Sequence, residues 1–355
     1  MPKKAVVDGS IQRLMGAGDL SLSDVDALGL VLHGGSVIDW HRLNFASADE
    51  IDRFLALTGH DTGDAFDRKR LLGLYLDAVD YLNESTDYRL PPEIAALDDV
   101  RTLFLNASGK THDKKIQLLS CVVLKVMHII HHAQARELLF STPVSDRQIV
   151  AAVEEKVGRE VVAMQKAGYP IYHFSGTRKT LHNQVTRLLA DRENIAARVH
   201  DKASFQIVTE KRDDIVPVLW HLSRTVFPFN YVVPGTTCNT LLDFVEMVKK
   251  VPRHAAHQGV IQFTAAMDAA TKDCAARPKA VDFVVDMPLK LQDLGVTVSE
   301  EMQQRLGRVV FALVEFQLQD VATFKQSEAG GTSLSAQRKR LKAKAWDRLT
   351  QGKLE

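Results

Sequence analysis

The stretch that decides the fold runs from Asp201 to Leu222, DKASFQIVTEKRDDIVPVLWHL. Within it SFQIVTE, Ser204 to Glu210, alternates apolar and polar residues, the period-2 signature of a strand with one buried face. Asp201 stands at the mouth of that strand, and the segment from Asp213 to Thr225 reads as the helix that follows it. A strand feeding a helix needs further strands beside it to bury its apolar face.

Those strands are visible downstream. VDFVVDMPL (Val281–Leu289), RVVFALVEFQLQD (Arg308–Asp320) and the shorter FNYVV (Phe229–Val233) are rich in β-branched and aromatic residues. Helical stretches, Lys179–Arg198, Asp213–Thr225 and Asn239–Val251, lie between the strands, so the region is a sheet interleaved with helices, α+β or α/β. KQSEAGGTSLS (Lys325–Ser335) reads as a loop, and the chain from Gln337 as a basic helix or a frayed end.

Upstream the period is helical. Helices are expected over Ser47–Leu57, Arg68–Leu82, Asp113–Phe140 and Ser145–Lys166, and one across PPEIAALDDVRTLFL starting near Pro92. Gly168–Pro170 closes this part. The expected organisation is therefore a helical region over 1–168, a sheet domain over 169–325, and a loop with a basic C-terminal tail over 326–355. The helical region should pack on the sheet domain, because the strongly apolar Ile116–Ile130 needs cover on several sides.

Composition narrows the function classes. With 45% hydrophobic and 25% charged residues over 355 positions the chain is globular, and a net charge of +1 gives it no bulk attraction to nucleic acid or membrane. Its cysteines, Cys121, Cys238 and Cys274, form no C-x-x-C pair, so neither a disulfide framework nor a thiolate zinc site is expected. A reducing cytoplasm is the expected location. The segment MPKKAVVDGS has no apolar core, so no secretory signal is expected, and Ile116–Ile130 is too short to span a bilayer and carries Lys125 and His128.

Four groups carry candidate chemistry. Arg178, Lys179, Asn183 and Arg187 recur at near-helical spacing and suit polyphosphate oxygens. In LVEFQLQD, Val314, Phe316 and Leu318 should face the core while Glu315, Gln317 and Gln319 share the opposite face. His128 and His132 are spaced like helical zinc ligands, but without an H-E-x-x-H acid or a clear third ligand they read, with His131, as buried or capping residues. The basic run around Arg338, Lys339, Arg340, Lys342, Lys344, Arg348 and Lys353 suits a solvated tail or contact with RNA or a protein.

The order basic helix, strand-entry Asp201, helix, then Glu315-x-Gln317-Leu318 resembles the synthetase domain of RelA/SpoT-type alarmone enzymes, which have a nucleotidyltransferase-like fold. KTLHNQVTR matches the K-x-x-x-S-I-x-x-K helix through Lys179 and Arg187, with Asn183 at the serine; DKASFQIV matches D-L-x-G-x-R-I through Asp201; EFQLQ matches E-x-Q-I-R through Glu315 and Gln317. The whole chain looks like a bacterial family that joins a helical N-terminal region to a divergent domain of this kind, on the phrases GGSVIDWHRLNF, LKVMHIIHH and FPFNYVVPGTTCNTL.

The resemblance implies a fold class, α+β with helices packed on a mixed nucleotidyltransferase-like sheet. It also implies a Mg²⁺-dependent transferase acting on a nucleoside triphosphate by pyrophosphoryl, phosphoryl or nucleotidyl transfer. Asp201 and Glu315 would be the catalytic, metal-binding carboxylates, with Arg178, Lys179, Asn183, Arg187 and Gln317 gripping the substrate. Three departures stand against it. Gln206 and Gln319 replace the pattern's two arginines, and PGTTCNTL lacks the tyrosine that stacks on the acceptor guanine. These favour the alternative of a catalytically inactive regulatory protein that binds a nucleotide or a partner.

Overall fold

Five strands, β1 (Ile171–Arg178), β2 (Ala203–Thr209), β3 (Cys238–Asn239), β4 (Val281–Lys290) and β5 (Val309–Asp320), form one mixed sheet in the spatial order β1-β2-β5-β4-β3. β2 and β5 run parallel, and every other neighbouring pair is antiparallel. The computed structural model describes residues 20–35, 38–40, 42–86, 89–111, 113–178, 181–190, 203–251, 274, 279–329 and 334–351.

Alternation gives the sheet its two faces. In one row Phe205, Phe316 and Phe283 stand side by side across β2, β5 and β4, with ring centroids 5.8 Å and 5.5 Å apart. Gly176 of β1 continues that row, and a Cβ there would meet the Phe205 ring at 3.1 Å, so the ring occupies the space a side chain would need. Helices α1 (Leu22–His33), α7 (Asp146–Lys166) and α9 (Ile215–Thr225) share this core with the strands. Their starts are written in the sequence: Ser21 with Asp24, and Ser145 with Gln148, form capping boxes that satisfy the first free N–H groups.

A second core lies among α2 (Ala48–Leu57), α3 (Ala65–Ser85), α5 (Val100–Ala107) and α6 (Lys114–Ser141). α6 begins at Asp113, whose carboxylate accepts from Lys115 and Ile116 N–H. By length and composition alone α6 is apolar enough to cross a bilayer. Here Leu119, Val123, Leu124 and Met127 are buried in the bundle core.

The expected elements differ from the structure in several places. PPEIAALDDVRTLFL forms two helices, α4 (Pro92–Ala95) and α5, because the Asp99 carboxylate caps a fresh start by accepting from Arg101 N–H. Arg178 was expected with Lys179, Asn183 and Arg187 on one basic helix; it ends β1, a strand the sequence reading did not expect, and only Leu181–Ala190 (α8) is helical among the described residues there. FNYVV is a single 3₁₀ turn over Phe229–Tyr231 followed by one isolated bridge at Val232, since Pro228 fixes the entry. Asn239–Val251 shrinks to α10 (Phe244–Lys249), capped by Asp243. Between β4 and β5 lies α11 (Glu300–Leu306), and the expected loop after β5 starts as α12 (Val321–Ala329), with the basic segment forming α13 (Leu334–Thr350). The unpaired cysteines are also corrected: Cys238 and Cys274 are disulfide-bonded, with Cα atoms 5.7 Å apart, a pairing created by tertiary placement at the sheet edge.

Candidate functional site

The face opposite the phenylalanine row is polar. Register aligns Thr177, Ser204, Glu315 and Val284 in one row, and Ser175, Gln206, Gln317, Asp282 and Cys238 in the next. Glu315, Gln317 and Gln206 are half-buried, so they line the face without being sealed beneath it. The buried partners Val314, Phe316 and Leu318 point the other way, as the alternation requires.

An amide network ties this face together. Gln206 Nε2 donates to Gln317 Oε1 at 2.9 Å and to Gln319 Oε1 at 3.1 Å. Gln317 Nε2 donates onward to Asp282 Oδ1 at 2.9 Å, and Gln319 Nε2 to the Lys279 carbonyl at 2.7 Å. Both ends of the Gln317 amide are thus engaged within the sheet, and Gln319, at 1% exposure, is sealed in it. At the end of β5 the Asp320 carboxylate accepts from Thr323 N–H at 2.7 Å and meets Arg212 at 3.3 Å; these contacts hold its carboxyl below the usual range against the opposing effect of burial.

The other end of the face abuts α6. His132 Nε2 lies 3.5 Å from Asp286 of β4, and its ring stacks on Phe311 of β5 at 4.2 Å. His60, His128 and His131 gather behind it with Tyr231; the His60 and His131 rings are 4.8 Å apart. Burial pushes His128 and His131 well below the ordinary imidazole range and His60 to about 3, so these rings are neutral packing groups.

The predicted site residues are only partly brought together. Arg178 ends β1 directly opposite Ala203, so the end of β1, the start of β2 and Glu315 converge on three adjacent strands. Asn183 and Arg187 lie one turn apart on α8, which packs against α13; Arg348 of α13 donates to the Leu189 carbonyl at 2.9 Å, near the end of α8. Lys179 and Asp201 lie outside the described residues, as does Lys353. Asp282 and Asp286 were missed, although VDFVVDMPL places an acid at alternate-face positions in a run that reads as apolar.

Among the described residues no three His, Cys, Asp or Glu side chains come together as a metal-binding group. Mg²⁺ at a phosphate site needs only one or two carboxylates, because substrate oxygens and water complete its shell. Glu315 offers one half-exposed carboxylate on this face.

No protein-family model matches the chain, and no curated protein matches it by sequence. Among solved structures it is similar to the small alarmone synthetase 1 of Bacillus subtilis bound to its product pppGpp, at 16% identity and a TM-score of 0.33, over 58% of this chain and 88% of that one. The small alarmone synthetase 2 of the same organism matches at 15% identity and a TM-score of 0.30, over 59% and 93%. A GTP pyrophosphokinase family protein from Streptococcus pneumoniae matches at 14% and 0.28, over 58% and 86%.

Proposed function

We propose that the polar sheet face binds the phosphates of a nucleoside triphosphate with Mg²⁺ and supports pyrophosphoryl, phosphoryl or nucleotidyl transfer. The observation that carries this reading is the row Thr177–Ser204–Glu315. It sets Glu315 beside the start of β2, with the end of β1 one strand further on; these are the two chain ends that lead to Asp201 and Lys179.

Glu315 and Asp201 would hold the cation, which supplies charge neutralisation to the phosphate oxygens. Arg178, Lys179 and Arg187 would grip the triphosphate, with Asn183 hydrogen-bonding beside them. Gln317 fixes the Asp282 carboxylate and Gln206 on the same face, so its contribution is to orient that wall.

The second reading, an inactive nucleotide-binding regulator, is favoured by one observation: the two positions where the resemblance expects arginines carry amides bonded to each other. One experiment addresses both readings. ATP and GTP are titrated into wild type, Asp201→Asn, Glu315→Gln and Arg187→Ala, with Mg²⁺ and with chelator. A working site loses Mg²⁺-dependent binding in either acid variant and turns over a labelled triphosphate with a nucleotide acceptor. A regulator binds equally well in chelator and tolerates both acid changes. No binding of any triphosphate to wild type overturns both.

A further inference from the structure

We propose that Tyr169 is a covalent acceptor for neutral, activated acyl esters, with His221 as its general base and Glu160 holding that base in place. Tyr169 lies between α7 and β1, at the end of that strand away from Thr177 and Glu315. His221 Nδ1 is 3.0 Å from the Tyr169 hydroxyl, and His221 Nε2 is 2.6 Å from Glu160 Oε1. A hydroxyl within reach of a base that a third group orients is the arrangement that activates weak oxygen nucleophiles.

The local chain path puts the three groups together. α7 ends at Gly168, whose φ of 86° lets its N–H bond the Gln165 carbonyl at 3.1 Å and the Tyr169 N–H bond the Met164 carbonyl at 3.0 Å, which turns Tyr169 back beside the helix. Val157, Val161 and Met164 of α7 and Leu219 and Leu222 of α9 are buried in the sheet core, fixing both helices. Glu160 and His221 stand at the margin with 24% and 21% of their side-chain surface exposed, and Tyr169 is half-buried, so the group sits at the surface.

The partners also decide where the protons are. A carboxylate only accepts, so His221 carries its proton on Nε2 and turns the Nδ1 lone pair to the tyrosine hydroxyl, which donates to it. Burial, with Glu160 nearby, raises the Tyr169 hydroxyl above the ordinary phenol range. Its phenolate is therefore scarce at neutral pH, and a base must take the proton as the new bond forms.

In the step, Tyr169 Oη attacks the ester carbonyl carbon while its proton passes to His221 Nδ1. The bond from that carbon to the leaving oxygen breaks, the proton goes on to the leaving oxygen as an alcohol or phenol, and the acyl group stays on Tyr169 as an ester. A phosphoryl donor fits poorly, because its negative charges would approach Glu160 across a single imidazole ring.

The test treats the full chain with 4-nitrophenyl acetate or with ATP and Mg²⁺ and follows each modified tyrosine by peptide mass spectrometry. Tyr81 and Tyr172, both 52% exposed, are internal controls. Tyr169 should be acetylated about tenfold or more faster than either, although it is less exposed, and should not be labelled by ATP. His221→Gln should slow Tyr169 about tenfold or more and leave Tyr81 and Tyr172 unchanged. Glu160→Ala should slow Tyr169 as well, and Glu160→Asp, which keeps the carboxylate, should restore much of the rate; a tie that only holds helices together would not show this order. Urea midpoints identify any variant that fails to fold, and the comparison of Tyr169 with Tyr172 in wild type stands without variants. The site is overturned if Tyr169 reacts no faster than Tyr172, if folded His221→Gln leaves its rate intact, or if ATP labels it in place of the ester.

Discussion

Gln206 of β2 and Gln319 of β5 are joined by a 3.1 Å hydrogen bond, so the two positions where the synthetase pattern expects arginine touch each other. Neutral amides can share a proton there; two guanidiniums would stand side by side and repel unless phosphates lay between them. Gln206→Arg should therefore tighten triphosphate binding about tenfold by adding one charge-assisted contact on the face that carries Glu315. The double variant, with Gln319→Arg, should be less stable than the sum of the singles by about 1 kcal/mol in urea melts without nucleotide, and recover when ATP is added. Strict additivity, or no change in affinity for Gln206→Arg, would count against a phosphate-facing role for this wall.

The histidine cluster makes stability depend on acid. An unfolded imidazole takes up its proton near pH 6.5, whereas buried His60, desolvated and facing Arg70 and Lys290, does so only at about 3. Between those values the unfolded state binds more protons, so stability is full above pH 6.5 and falls as pH drops towards 3. At pH 5 His60 alone should cost about 2 kcal/mol, and His128 and His131 act in the same direction. Urea midpoints at pH 7.5 and 5 measure this, and His60→Gln should flatten the slope. An unchanged midpoint at pH 5 would mean that water or a counter-charge reaches these rings.

How much of this was legible depends on the periodicity each segment carries. β2 and the second half of β5 alternate plainly, β4 was readable from its β-branched and aromatic residues, and Glu315 and Gln317 were placed on one face by period alone. β1 hid because IYHFSGTR is an edge strand whose glycine makes room for Phe205, leaving little apolar pattern to read. Contacts that need register stayed invisible: Gln206 meets Gln319 only because β2 and β5 pair in parallel, 113 residues apart in sequence.

The basic C-terminal helix offers a sharper test than its charge suggests. Arg348 donates to the Leu189 carbonyl, where a cation complements the helix dipole of α8. Arg348→Ala should cost under about 1 kcal/mol globally, since the contact is exposed. It should nonetheless speed hydrogen exchange along α8 and weaken triphosphate binding several-fold through Asn183 and Arg187, whereas exposed Lys339→Ala should do neither. If Lys339→Ala instead reduces binding to RNA while Arg348→Ala leaves α8 protected, the helix serves as a nucleic-acid contact.

The helical region and the sheet should not survive separation at Gly168. Val150, Val153, Val157, Val161 and Met164 of α7 are at most 6% exposed, and they belong to the core cluster that contains Phe205, Phe316 and Phe283. Burying such side chains contributes roughly 1.5–3 kcal/mol each, so α7 alone carries on the order of 8–15 kcal/mol of apolar burial. That is comparable with the whole net stability of a typical domain. α1 adds Val25, Leu28, Val31 and Leu32 to the same cluster. A chain beginning at residue 168 should therefore be insoluble, or bind a hydrophobic dye and melt without a cooperative transition. A soluble fragment from residue 168 with an unchanged melting midpoint would show that the sheet covers its apolar face without these helices.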